Sequence, residues 1–161
     1  MNIIETRDAQ LMANLGIVMQ DKHRNLYPDF FKPYDENAIM QYFQEIFKDP
    51  KQQVFLWIDD HHETKKIAAY LWLEQETIPE TVYRYGYTRL YLHHILIMPD
   101  YQGKGLSKDL LQFADDFAKD QNITQVELHY WSQNDIAKKL YHQSGYEVYT
   151  ETAYKQLENH S

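Results

Sequence analysis

Met98-Pro99-Asp100-Tyr101-Gln102-Gly103-Lys104-Gly105-Leu106-Ser107-Lys108 is the stretch whose reading decides the fold. It lies between an apolar run, RLYLHHILIM at 89–98, and a helical pattern from Gly105 to Asp120. The run reads as the strongest strand in the chain, ended by Pro99-Asp100. In the helix, Leu106, Leu110, Phe113, Ala114, Phe117 and Ala118 share one face. A glycine-bearing turn between strand and helix aims several backbone N–H groups at one place, and the helix start adds partial positive charge. Such a site suits a phosphate or pyrophosphate. Gly103 and Gly105 let an anion approach the backbone, and Lys104 and Lys108 supplement the charge. The stretch is not a P-loop, and a dinucleotide fingerprint would need glycine at Lys108. Two glycines this close also serve as a plain helix-capping turn.

Outward from this stretch the pattern stays regular. Residues 2–6 read as a short strand, and Asp8 caps a helix expected to run to about Gln20. Pro28 and Pro33 exclude a helix through HRNLYPDFFKPYDE, yet Tyr27, Phe30, Phe31 and Tyr34 mark that loop as a lid or wall. A second helix is expected over 37–48, then strands over 52–59 and 66–74 joined by the hairpin loop DDHHET. Residues 75–88 read as a Tyr-rich connection or an irregular strand. A strand over 125–130, a helix over 134–143 capped by Gly145, and one or two strands within 146–157 complete the order. Hairpins in the middle and interleaved helices late predict an α/β sheet with antiparallel and parallel parts.

The chain of 161 residues reads as a single domain, 1–161, with enough apolar residues (43%) for a core. No apolar run spans a membrane, and MNIIETRDAQ lacks a secretory pattern. Cysteine is absent, which removes disulfides and thiolate chemistry and fits a cytoplasmic location. Sixteen Lys and Arg against 24 Asp and Glu give a net charge of −8, which disfavours nucleic acid and favours cationic partners. The 14 tyrosines suit a cleft, an interface or the edges of a core.

Gln102-Gly103-Lys104-Gly105-Leu106-Ser107 resembles the Q/R-x-x-G-x-G/A motif of the GNAT family of N-acetyltransferases, with Ser107 at the last position. Asn134-Asp135-Ile136-Ala137-Lys138-Lys139-Leu140-Tyr141-His142-Gln143-Ser144-Gly145-Tyr146 resembles that family's N-x-x-A-x-x-x-Y-x-x-x-G-F signature, with Tyr146 for Phe. The two stand in the family's order, and the close resemblance covers about residues 89–150. It implies a mixed, mostly antiparallel sheet flanked by helices on both faces and splayed at a cofactor cleft. It also implies acetyl-CoA as cosubstrate and direct acetyl transfer to a primary amine: a small cationic amine, a polyamine or a peptide amine. A homodimer is common for this architecture, and no residue decides it.

The same resemblance assigns residues. Gln102, Gly103, Lys104, Gly105, Leu106, Ser107 and Lys108 would hold the CoA pyrophosphate, and Ile95, Leu96 and Ile97 would lend backbone groups to the pantetheine arm. Asn134 would bond that arm, and Tyr141 would protonate the leaving thiolate. His129, on the strand bordering the thioester gap, is the first candidate to accept the ammonium proton, because imidazole titrates near neutrality. His93 and His94 are adjacent, so strand alternation aims at most one of them, taken as His94, into the site. His61 and His62 are expected to be inert, and no metal is expected without Cys or HExxH. Two rival readings are a non-catalytic acyl-CoA-binding module and a protein-interaction module on the same fold.

Overall fold

The computed structural model describes residues 1–61 and 63–158; the expectation for His62 lies outside the described residues. Five strands, β1 (Asn2–Thr6), β2 (Gln52–Asp59), β3 (Lys66–Ile78), β4 (Tyr87–Ile97) and β5 (Val126–Leu128), form one sheet in chain order. Every pairing is antiparallel except β4 with β5, which is parallel. A parallel pair needs a crossover, supplied here by helix α3 (Leu106–Asp120). Helices α1 (Ala9–Leu26) and α2 (Glu36–Ile46) cover the other face, and α4 (Asp135–Gln143) follows β5.

The central strand β3 is buried on both faces, so its sequence reads as a nearly continuous apolar run. Its Ala69, Leu71 and Leu73 pack with Leu90, Leu92, Leu110, Leu111 and Ala114 under α3. Its Tyr70 and Trp72 pack with Met12, Phe43, Val54 and Leu56 under α1 and α2. Asp8 caps α1 by accepting from the Leu11 N–H at 3.0 Å, as expected. The helix runs past Gln20 to Leu26 because DKHRN holds no breaker; Pro28 stops it.

Two further expectations change. Residues 75–88 divide: 75–78 extend β3, 87–88 begin β4 with Ile78 pairing Tyr87, and 79–86 form the turn. There Thr81 Oγ1 accepts from the N–H groups of Tyr83 and Arg84. Gly86 is required, since a Cβ would meet the Glu80 nitrogen at 2.9 Å. The strands expected within 146–157 are not present among the described residues. The apolar residues there, Val148, Tyr149, Tyr154 and Leu157, find no sheet face to bury and stay exposed, and β5 is too short to offer much edge.

Leu71→Ala, at the centre of the α3-side core, is expected to lower unfolding stability by about 2–5 kcal/mol. Tyr83→Ser, on the exposed turn, should change it by less than about 0.5 kcal/mol. Urea midpoints of the two variants check both values.

Candidate functional site

The strand-to-helix loop has the form an anion needs. Gly103 (φ 75°) and Gly105 (φ 78°) are left-handed, and a Cβ on either would meet nothing within 4 Å. The backbone is bare toward open space. Gly105 is the N-cap of α3 and offers no side chain to the first turn. Among the described residues, the N–H groups from Gly103 to Ser107 have no acceptor. Gln102 anchors the loop by donating Nε2–H to the Ile97 carbonyl at 3.2 Å. The Lys104 ammonium lies 5.4 Å from the centre of the Tyr101 ring, whose hydroxyl donates to Asp59 at 2.7 Å. Leu106 is buried in the core, so only its backbone N–H is available to a ligand.

Beside the loop the sheet parts. The β4–β5 pairing covers only Leu90–Leu92 with Val126–Leu128, while β4 runs on to Ile97. Among the described residues, the edge of β4 at Ile95, Leu96 and Ile97 that would face β5 carries no ladder; the opposite edge pairs with β3. Tyr141 on α4 packs against Tyr130 and Tyr146, with ring centres 5.6 and 5.9 Å apart. Burial pushes its hydroxyl up to about 12, so it stays protonated at neutral pH. The Tyr146 hydroxyl is buried with no partner. Asn134 caps α4, its Oδ1 accepting from the Ala137 N–H at 3.3 Å, which leaves its amide N–H groups unused among the described residues.

The α1 side of the sheet holds the histidines, and here strand alternation fails. Trp72 pairs with His94 and Leu73 with Leu92, so His93 is an extra residue in β4. Both imidazoles therefore face Trp72: His93 stacks on it at 4.3 Å and His94 meets it edge-on at 4.9 Å. His94 is bonded through Nδ1 to the Tyr70 hydroxyl at 3.0 Å. Burial, then His93 and His23, push His94 down to about 3; burial pushes His93 down to about 4. His129 sits past the end of β5, exposed, with its ring centre 6.3 Å from that of Trp131.

The aromatic loop folds back as a wall. Tyr27, Phe31 and Phe30 lie 4.6, 4.9 and 5.5 Å from Trp131, and Tyr27 Oη accepts from the Gln133 N–H at 2.8 Å. Tyr34 leaves the group and donates instead to the Ala13 carbonyl. His23, Glu74 and Trp131 were not singled out from sequence. Trp131 had a signal: it lies two positions beyond His129 and so shares its side of an extended chain. Among the described residues, Asp59, Asp60 and His61 could converge on a cation, but Asp59 already accepts from Tyr101 and the His61 N–H.

The neutral histidines carry a pH consequence. Below its ordinary 6.5, His94 takes a proton in the unfolded chain but not in the fold until about 3. Stability should therefore fall as pH drops through 6.5, and His93 adds to the same slope. Urea midpoints between pH 7 and pH 4 should decline less steeply in His94→Gln than in the parent; equal slopes would contradict the assignment.

Residues 20–146 match the acetyltransferase (GNAT) family. The uncharacterized N-acetyltransferase YycN of Bacillus subtilis (strain 168) is 30% identical over 83 residues, 52% of this chain and 49% of that protein. The chain thus spans about half the length of the curated relative it matches. A tetramutant of the BH1408 protein from Bacillus halodurans superposes with a TM-score of 0.87 at 21% identity, over 98% of this chain and 100% of that one. The aminoglycoside N-acetyltransferase AAC(6')-Iy, in a complex with CoA, gives 0.65 at 12% identity, over 98% and 100%. At these identities the two structures share the fold.

Proposed function

The chain belongs to the acetyltransferase (GNAT) family, and on that premise we propose that it is an acetyl-CoA-dependent N-acetyltransferase acting directly on a primary amine. One observation carries the reading: the bare glycine loop at the end of β4 opens beside the parting of β4 from β5. The residues fit the cosubstrate. A Cβ at Gly103 or Gly105 would fill the cradle a pyrophosphate needs, and the buried Tyr146 hydroxyl lacks a partner that a bound arm could supply.

In this reading Gln102, Gly103, Lys104, Gly105, Leu106, Ser107 and Lys108 hold the pyrophosphate, mostly through backbone N–H groups and the start of α3. The free edge of Ile95, Leu96 and Ile97 orients the pantetheine arm, with the Asn134 amide beside it. The thioester supplies an activated acetyl group, so the protein's contribution is to position, exclude water and move protons. Tyr141, kept protonated by burial, gives its proton to the sulfur. The acceptor enters from the α1 side, along the wall of Tyr27, Phe30, Phe31 and Trp131, and its proton leaves toward the histidines there, His129, His93 and His94. A net charge of −8 supports a cationic acceptor, such as a polyamine, an aminoglycoside-like amine or a peptide amine. We read 1–161 as one such domain. Among the described residues, no helix is long and apolar enough to cross a membrane. Together with the absence of cysteine, that supports a cytoplasmic place of action.

Melting with acetyl-CoA or CoA tests the reading. A ligand at one hundred times its dissociation constant should stabilise the fold by about 2.7 kcal/mol. Gly105→Glu should abolish the rise by placing a carboxylate in the anion site. Tyr141→Phe should keep it while lowering kcat by about 100-fold. No rise with the parent protein at millimolar ligand would sink the acetyltransferase reading. Unchanged kcat in Tyr141→Phe would remove that tyrosine's role.

A further inference from the structure

Four side chains close a ring on the α1 face of the sheet. The Trp72 indole N–H donates to Gln52 Oε1 at 2.8 Å, and Gln52 Nε2 donates to Glu74 Oε2. Glu74 Oε1 lies 3.3 Å from His93 Nε2, and His93 stacks back on Trp72. With Glu74 ionised, the ring has one consistent assignment of hydrogens. An indole N–H can only donate, so the Gln52 oxygen must face it and the Gln52 amide N–H must face Glu74. An ionised carboxylate can only accept, so His93 Nε2 must carry a proton and donate it. A neutral imidazole then has its lone pair on Nδ1. Among the described residues no hydrogen bond involves His93 Nδ1. The bulge in β4 puts this ring on the α1 face of the sheet, the side along which the acceptor is proposed to enter.

The other two histidines lack this preparation. The Nδ1 atom of His94 is taken up by the Tyr70 hydroxyl. His129 is exposed, and among the described residues no group orients it by a hydrogen bond.

Resting on the acetyltransferase reading, we propose that His93 takes the proton from the acceptor's ammonium group, and that Glu74 is the positioning residue that aims its lone pair. The step balances simply. An N–H bond of the ammonium breaks as Nδ1–H forms on His93. The freed nitrogen lone pair attacks the thioester carbonyl, the C–S bond breaks, and the leaving thiolate takes the Tyr141 proton, while the second proton that the nitrogen sheds as it becomes an amide passes through water and restores the Tyr141 hydroxyl. The imidazolium is stabilised by the Glu74 carboxylate and returns its proton to water. Held low by burial, His93 is unprotonated before the amine arrives.

The geometry gives an unusual expectation for Glu74→Gln. Gln52 must still donate to residue 74, so the new amide turns its oxygen to Gln52 and its NH₂ to His93. His93 Nε2 then becomes an acceptor, and the ring proton moves to Nδ1. The imidazole remains, with no lone pair toward the acceptor. Nitrogen-15 spectra of the ligand-free protein should show His93 protonated on Nε2 in the parent and on Nδ1 in Glu74→Gln. With spermidine and phenethylamine as probe amines, His93→Gln and Glu74→Gln should each lower kcat by about 100-fold, the range of a lost general base. Both should keep the rise in melting temperature with CoA. An Nδ1–H parent, an unchanged tautomer in Glu74→Gln, or kcat within about threefold of the parent in either variant would overturn the proposal. If His93→Gln fails to fold, Glu74→Gln carries the test alone. If neither probe is a substrate, the spectra decide. A parent that shows no melting response to CoA would instead strike at the acetyltransferase reading.

Discussion

A single extra residue in β4 sets the rest of the site. The bulge at His93 follows Leu92, the last residue of β4 that pairs with β5. Bulges add twist and re-aim side chains, and this one comes where the two parallel strands part. It also changes the phase of the strand. Leu90 and Leu92 face α3 before it, while Ile95 and Ile97 face α3 after it. One insertion thus opens an edge of the sheet, brings both histidines to one side, and still delivers apolar residues to the core and the chain to the glycine loop.

The tyrosines divide the labour around this opening. Among the described residues, three end on carboxylates: Tyr101 on Asp59, and both Tyr87 and Tyr149 on Glu127. Burial works against the charge on Glu127, yet the Tyr149 and Tyr87 hydroxyls and Arg89 hold its carboxyl below the ordinary range. Arg89 bridges Glu127 and Glu76 at 3.2 and 2.7 Å, so those two acids have a cation between them. Glu74, one pleat further along the face, has a buried amide and an imidazole instead. Its carboxyl is pushed up by burial and by Glu76. Arg89 opposes that rise through its charge, without an ion pair to Glu74 among the described residues.

Much of this was legible in the residues, because local rules govern it. The bounds of β1 and β2 follow their short apolar runs, α3 its apolar face, and the loop its glycines, whose left-handed backbone few other residues adopt. The bulge was not read. LYLHHILI looks like an uninterrupted strand, although its apolar phase slips from Leu90 and Leu92 to Ile95 and Ile97. Reading that slip needs the partner strand, since Leu96 keeps the other face apolar too. The ring of Gln52, Trp72, Glu74 and His93 depends on the registers of three strands, which no window of sequence contains. The strands expected near the C-terminus failed for the opposite reason. Their local pattern was adequate, but β5, three residues long, offers them little edge to pair with.

The crossover through α3 has a kinetic meaning. Strands β2, β3 and β4 are joined by short turns, so their ladders close small loops and form from local contacts. The pairing of β4 with β5 closes a loop that includes a whole helix and is repaid by only three residue pairs. The meander can therefore assemble while β5 and α4 are still unplaced. The cleft between β4 and β5 becomes the last part of the molecule to be built and the first to open, so a ligand that bridges it would slow unfolding more than it speeds folding.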